Sequence, residues 1–134
     1  MASIHLDISG VDETIHRLNS VGGVRMLEPA MWKAVYRLQE YMQVYPPTLP
    51  NQRYERTRTL GRKWAADNAA SVTAHGTELR GRIGIQLEYA PFVQSSRFQA
   101  RVHRGRWRTD LMAIDANRAK IVADFVVALR GALR

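Results

Sequence analysis

Side chains able to do acid–base or metal chemistry are few in this sequence, and they stand apart. The four histidines, His5, His16, His75 and His103, form no pair one helical turn apart and have no acid at ligand spacing. A metal site built from them is not expected. Glu78 and Glu88 flank a strand-like segment on its wet side and read as surface charge, whereas acid–base work needs two acids converging in a pocket. Gly81-Arg82-Ile83-Gly84 lies inside that strand pattern, and the glycines of a dinucleotide site need a strand-to-helix turn. There is no cysteine, hence no thiolate nucleophile, thiolate metal site or disulfide framework. No nucleophile–base pair stands out, so neither catalysis nor a cofactor is expected.

Arginine is what the chain concentrates. Twenty Lys and Arg stand against twelve acids, for a net charge of +8, which speaks to partners and not to fold. Half of these cations fall in two short windows. The first holds Arg53, Arg56, Arg58, Arg62 and Lys63, and the second holds Arg97, Arg101, Arg104, Arg106 and Arg108; only Glu55 opposes them there. Tyr54 and Trp64 bracket the first window, and Phe98 and Trp107 the second. Arginine with interleaved aromatics suits a single-strand or RNA groove, by stacking and phosphate contact. It equally suits a protein interface, where Arg, Tyr and Trp concentrate. A solvated basic loop is the third reading.

The interface reading takes Tyr54, Arg56, Arg58, Arg62, Lys63, Trp64, Arg97, Phe98, Arg101 and Trp107 as protein contacts, with Arg104, Arg106 and Arg108 left for nucleic acid. Arg56 and Arg62, read as outward-facing, are expected to accept glutamate without loss of fold.

The elements that must position these windows read as follows. At 134 residues a single domain, 1–134, is expected. Ile4, Leu6 and Ile8 alternate with polar residues, which predicts a half-buried strand. A short helix follows, broken at Gly22-Gly23. A second runs from about Glu28 to Tyr45, with Pro29 in its first turn and Met31, Val35, Leu38, Met42 and Tyr45 on one face. Pro46-Pro47 stops it. Ala69–Ala74 and Glu78–Leu87 predict a hairpin turning at His75-Gly76-Thr77, with Gly81 and Gly84 marking a bulge or a close backbone approach. Thr109 or Asp110 caps a last helix whose apolar positions include Leu111, Ile114, Ile121, Val122, Phe125, Val126, Leu129 and Leu133. The expectation is an α+β fold, an antiparallel sheet packed against two main helices. Two long basic loop arms, about 46–68 and 94–109, project from it, and Phe98–Arg104 could add a strand. His5 and Asp7 interrupt the apolar start, and Ile121–Leu129 is too short to span a bilayer and carries Asp124, so neither a signal peptide nor a membrane partner is expected.

Tyr54-Glu55-Arg56-Thr57-Arg58-Thr59-Leu60-Gly61-Arg62-Lys63-Trp64 resembles a segment of the small neck, or tail-completion, proteins of long-tailed bacteriophages. There a pattern Tyr-x-Arg-Thr-Gly-x-Leu-x-x-Ser-Trp follows a long helix and a proline-rich turn. Tyr54, Arg56, Thr57, Leu60 and Trp64 match it; Arg58 stands for the glycine and Lys63 for the serine. Tyr89-Ala90-Pro91-Phe92-Val93 is similar to the family's Tyr-Ala-x-Tyr-Val segment after the hairpin, although Gln94-Ser95-Ser96 departs from the usual continuation. The resemblance spans most of the chain and implies a virion component assembled in the host cytoplasm. It would be a hexameric or dodecameric ring joining head to tail or completing the tail. Its partners would be copies of itself, neighbouring connector proteins and tail-tube or tail-terminator proteins, with DNA passing through the lumen. The alternative is a free nucleic-acid-binding protein using the same arginine and aromatic loops.

Overall fold

A computed structural model describes residues 2–8, 12–52 and 56–134. Strand β1 (Ala2–Ile8) leads to helix α1 (Asp12–Asn19), a 3-10 turn at Gly23–Leu27 and helix α2 (Glu28–Met42). Helix α3 (Thr59–Ala65) and a short turn at Asp67–Ala69 precede strands β2 (Ala70–His75) and β3 (Glu78–Ile85). Helix α4 (Ala90–Gln94), a turn at Arg101–His103 and helix α5 (Asp110–Ala132) complete the chain. The architecture is α+β, with one antiparallel sheet in the order β1-β3-β2.

The hairpin forms where the sequence places it. His75 pairs with Glu78, leaving Gly76 and Thr77 as a two-residue turn. Gly76 has φ 59°, the positive angle that such twist-matched turns require of their first residue. The central strand β3 buries Leu79, Gly81, Ile83 and Ile85 and turns Glu78 and Arg80 outward. Across the register Ile4 meets Ile83, and Asp7 meets Arg80. On the wet face Arg80 Nε donates to Asp7 Oδ1 at 2.7 Å. That pair is exposed and adds little stability.

Helix α2 lies on the apolar face because Met31, Val35, Leu38 and Met42 recur on one side, and all four are buried. Each such burial contributes roughly 1.5–3 kcal/mol before entropy. Gly81 lets the helix come close: a Cβ there would lie 2.5 Å from Met31 Sδ and 2.8 Å from Val35 Cγ1. The close-approach reading of this glycine is therefore the right one. The helix ends at Met42, three residues short of Tyr45. Pro46 disfavours helical backbone in the residue before it and itself offers no N–H.

Helix α5 is capped by Thr109, whose side chain accepts from Met112 N at 3.3 Å. It packs along α2, where Arg37 Nε donates to Asp124 Oδ2 at 2.9 Å. Its packed face differs from the expected one. Ala113 and Asn117 are buried, and Ile114, Ile121, Phe125, Leu129 and Leu133 are partly covered. Leu111, Val122 and Val126 instead face solvent. The apolar residues of this helix occupy more of its circumference than the body can cover.

The two projecting arms are not found among the described residues. The described part of 46–68 contains α3 and packs on the body. The segment 94–109 is a docked loop, and Phe98–Arg104 is turn and 3-10 structure, not a strand. Its cause is local. Gln99 Nε2 donates to the carbonyls of Val93 (2.7 Å), His103 (3.3 Å) and Trp107 (3.3 Å), which gathers the loop instead of extending it.

Candidate binding recess and basic surface

Trp64 is not a surface contact; it is fully buried. Its indole N–H donates to Gln94 Oε1 at 2.8 Å, and Gln94 Nε2 donates to Met42 O at 3.1 Å. Gln39 Nε2, from α2, donates to the carbonyls of Trp64 and Ala66. Helix α3 is thus fastened to the end of α2 by two amide side chains. Trp107 is likewise 7% exposed, not a projecting anchor. Both tryptophans carry too much apolar area to leave in water when the chain can fold over them.

Arg56 is not presented outward either. It donates to Pro46 O and, at 3.4 Å, to Pro47 O. Its guanidinium lies over Tyr45 at 5.5 Å and over Trp107 at 5.4 Å. The carbonyls of a proline-broken turn lack helical partners, and Arg56 supplies them. Arg56→Glu would therefore disturb the fold, contrary to the sequence expectation. Arg106 also reaches Pro47 O at 3.4 Å, and Arg108 donates to Tyr41 O at 3.2 Å while lying 4.1 Å from the Tyr41 ring centre. These nucleic-acid candidates are engaged within their own chain.

Arg58 adopts φ 62°, ψ 15° immediately before α3, and is the one non-glycine residue with positive φ among those described. The position that the phage pattern gives to glycine is thus a left-handed one. Its guanidinium sits 5.4 Å from the Tyr45 ring centre.

Six of the proposed interface residues remain on the surface. Arg58, Arg62, Lys63, Arg97, Phe98 and Arg101 are exposed, as is Arg104 from the nucleic-acid set, and Tyr54 lies outside the described residues. Arg62 donates to Thr57 O at 2.7 Å, and Arg97 lies 5.2 Å from the Phe98 ring centre. Phe92, Phe98 and Val102 are exposed on the same loop region, joined where Ala100 N donates to Phe92 O at 2.7 Å. Apolar side chains are thereby held among exposed arginines, a composition common at the centres of protein interfaces.

Folding both windows onto the body creates a recess of about 300 Å³ between them. Tyr45, Arg56, Arg58, Tyr89, His103 and Trp107 contribute to its wall, with Leu60 and Val93 as its aliphatic part. Tyr45 is held by Gly61 N, which donates to its hydroxyl at 2.9 Å. Burial, followed by the charge of Arg106, pushes His103 below the usual histidine pKa. Burial, followed by Tyr45, pushes the Tyr89 phenol up. Sequence reading set His103 aside as isolated and placed Tyr45 on the apolar face of the second helix.

No known protein family, no curated protein and no solved structure matches this chain.

Proposed function

We propose that this chain is a structural subunit of a bacteriophage neck, joining head to tail or completing the tail as a six- or twelve-fold ring. The motif order from Tyr54 to Val93 supports this reading, and one surface observation carries it. Met112, Ala116, Ala119, Ala123 and Val127 are all exposed and follow at spacings of four, three, four and four. Such spacing lines up one face of α5. Beside it an apolar groove runs between α5 and the edge strand β1, lined by Leu6, Ile121, Val122, Phe125 and Val126. A helix face without charge from Met112 to Val127, next to an edge strand, suits a second copy of the chain.

Closed cyclic symmetry repeats each modest contact around the ring, so low affinity per subunit suffices. The loop bearing Arg97, Phe98, Arg101 and Arg104 then serves for acidic surfaces on adjoining connector or tail proteins. A lumen gripping phosphate at every subunit would slow DNA passage, since each neutralised phosphate adds to binding. The engagement of Arg56, Arg106 and Arg108 by their own chain also leaves fewer cations for nucleic acid. Electron microscopy of the purified chain at high concentration should reveal closed rings. A monomer at every concentration, together with tight salt-sensitive binding of single-stranded DNA, would replace this reading with the nucleic-acid one.

A further inference from the structure

Among the described residues, three buried nitrogens around the recess have no hydrogen-bond partner: Arg56 Nε, His103 Nδ1 and Trp107 Nε1. Each belongs to a residue of the recess wall. Buried polar groups are almost always paired, and one left alone forfeits its full desolvation penalty. Three unpaired nitrogens around one recess mark a place prepared for something absent. Two of them, the indole and the guanidinium, can only donate.

The missing group must therefore be an acceptor. Arg56 and Arg58 add positive charge, and among the described residues no acid lines the recess. An anionic acceptor is favoured over a neutral one. The size of the recess, together with Leu60, Val93 and the rings of Tyr45 and Tyr89, decides which anion. Its volume takes a side chain or a chain end, whereas a nucleic-acid phosphate continues into backbone on both sides and stays hydrated. We infer that the recess between the two basic windows is a binding site for a carboxylate of a protein partner, either an acidic side chain or a C-terminus, whose insertion parts the wall and brings it to Trp107 Nε1, Arg56 Nε and His103, where the three nitrogens are now closed to solvent.

The assignment is independent of the neck reading, because a monomeric protein of any role could use such a site. It also differs from the exposed Arg101 and Arg104 loop, since it needs a group inserted and not a surface apposed.

The test uses the full chain labelled with nitrogen-15 and follows its indole N–H signals. N-acetyl-glutamate α-amide is the carboxylate probe, N-acetyl-glutamine α-amide its neutral isostere, and inorganic phosphate and a thymidine oligonucleotide the phosphate probes. The carboxylate probe should shift the Trp107 indole signal saturably, leave that of Trp64 in place because Gln94 already holds it, and exceed the other three probes. Trp107→Phe keeps a ring but no N–H; its affinity, read from the backbone amide signals of the recess residues, should fall about tenfold, as loss of a hydrogen bond to a charge does. An unmoved Trp64 signal in that variant reports an intact fold. Should Trp107→Phe not fold, Arg58→Gln carries the same comparison with a several-fold loss expected. Equal response to the glutamine probe, stronger response to either phosphate probe, or no Trp107 shift at the solubility limit overturns the assignment. Ring formation is read separately, so a failure of either proposal leaves the other standing.

Discussion

Gln94 and Arg58 show how much hangs on single side chains here. Gln94 is fully buried and accepts from the Trp64 indole while donating to Met42 O. Gln94→Leu keeps the volume and removes both bonds, stranding one buried donor and one carbonyl. The expected loss is about 1–3 kcal/mol per stranded group, less whatever relaxation recovers. Urea unfolding should show a lower midpoint at unchanged slope, and an unchanged midpoint would mean that water replaces the amide. Arg58 points the other way. A left-handed non-glycine residue costs roughly 1–2 kcal/mol, while glycine gives back about 0.5–1 kcal/mol in unfolded-state entropy. Arg58→Gly should thus be stabilised by up to about 1 kcal/mol. A net loss in the same unfolding experiment would mean that the stacking of Arg58 on Tyr45 outweighs the backbone strain.

At the scale of elements, local signals were legible and tertiary choices were not. The alternation of Ile4 and Leu6, the Gly76 turn, the Met31–Met42 face and the Thr109 cap each depend on neighbours a few residues away. Spacing encodes such things directly. Whether Trp64 and Trp107 face inward depends instead on Gln94, Gln99 and Arg56, which lie far off in sequence or look like surface residues. The recess arises only from that inward choice, so periodicity could not reveal it. Where sequence and packing agree, the junction is tight. Gly81→Ala places a methyl against Met31 and Val35, and overpacking of this kind costs about 1–3 kcal/mol. Met31 can swing aside, but Val35 is short and branched at Cβ. Adding Val35→Ala should therefore leave the double variant more stable than the sum of the two losses. Strict additivity in thermal melts would show that α2 shifts bodily away from β3 instead.

For the molecule as a whole, α5 carries two apolar faces and the rest of the chain covers one. Ala113 at its start is fully buried, whereas Ala116, Ala119 and Ala123 face solvent. A helix polar on its outer side would be ordinary; one lined there by Met, Ala and Val is not explained by solubility. The small residues would let a second helix approach closely, with Val122 and Val126 reaching the groove beside β1. Ala119→Glu with Ala123→Glu should leave unfolding within about 0.5 kcal/mol of the parent, because exposed helix positions tolerate glutamate. Sedimentation should nevertheless report loss of the assembled species. Lys120→Gln, on the flank of the same helix, should retain it, and Ala113→Glu should unfold the chain outright by burying an unpaired charge. If the double glutamate variant assembles as the parent does, self-association uses another surface, and the exposed alanines of α5 lose their claim to be the joint between subunits.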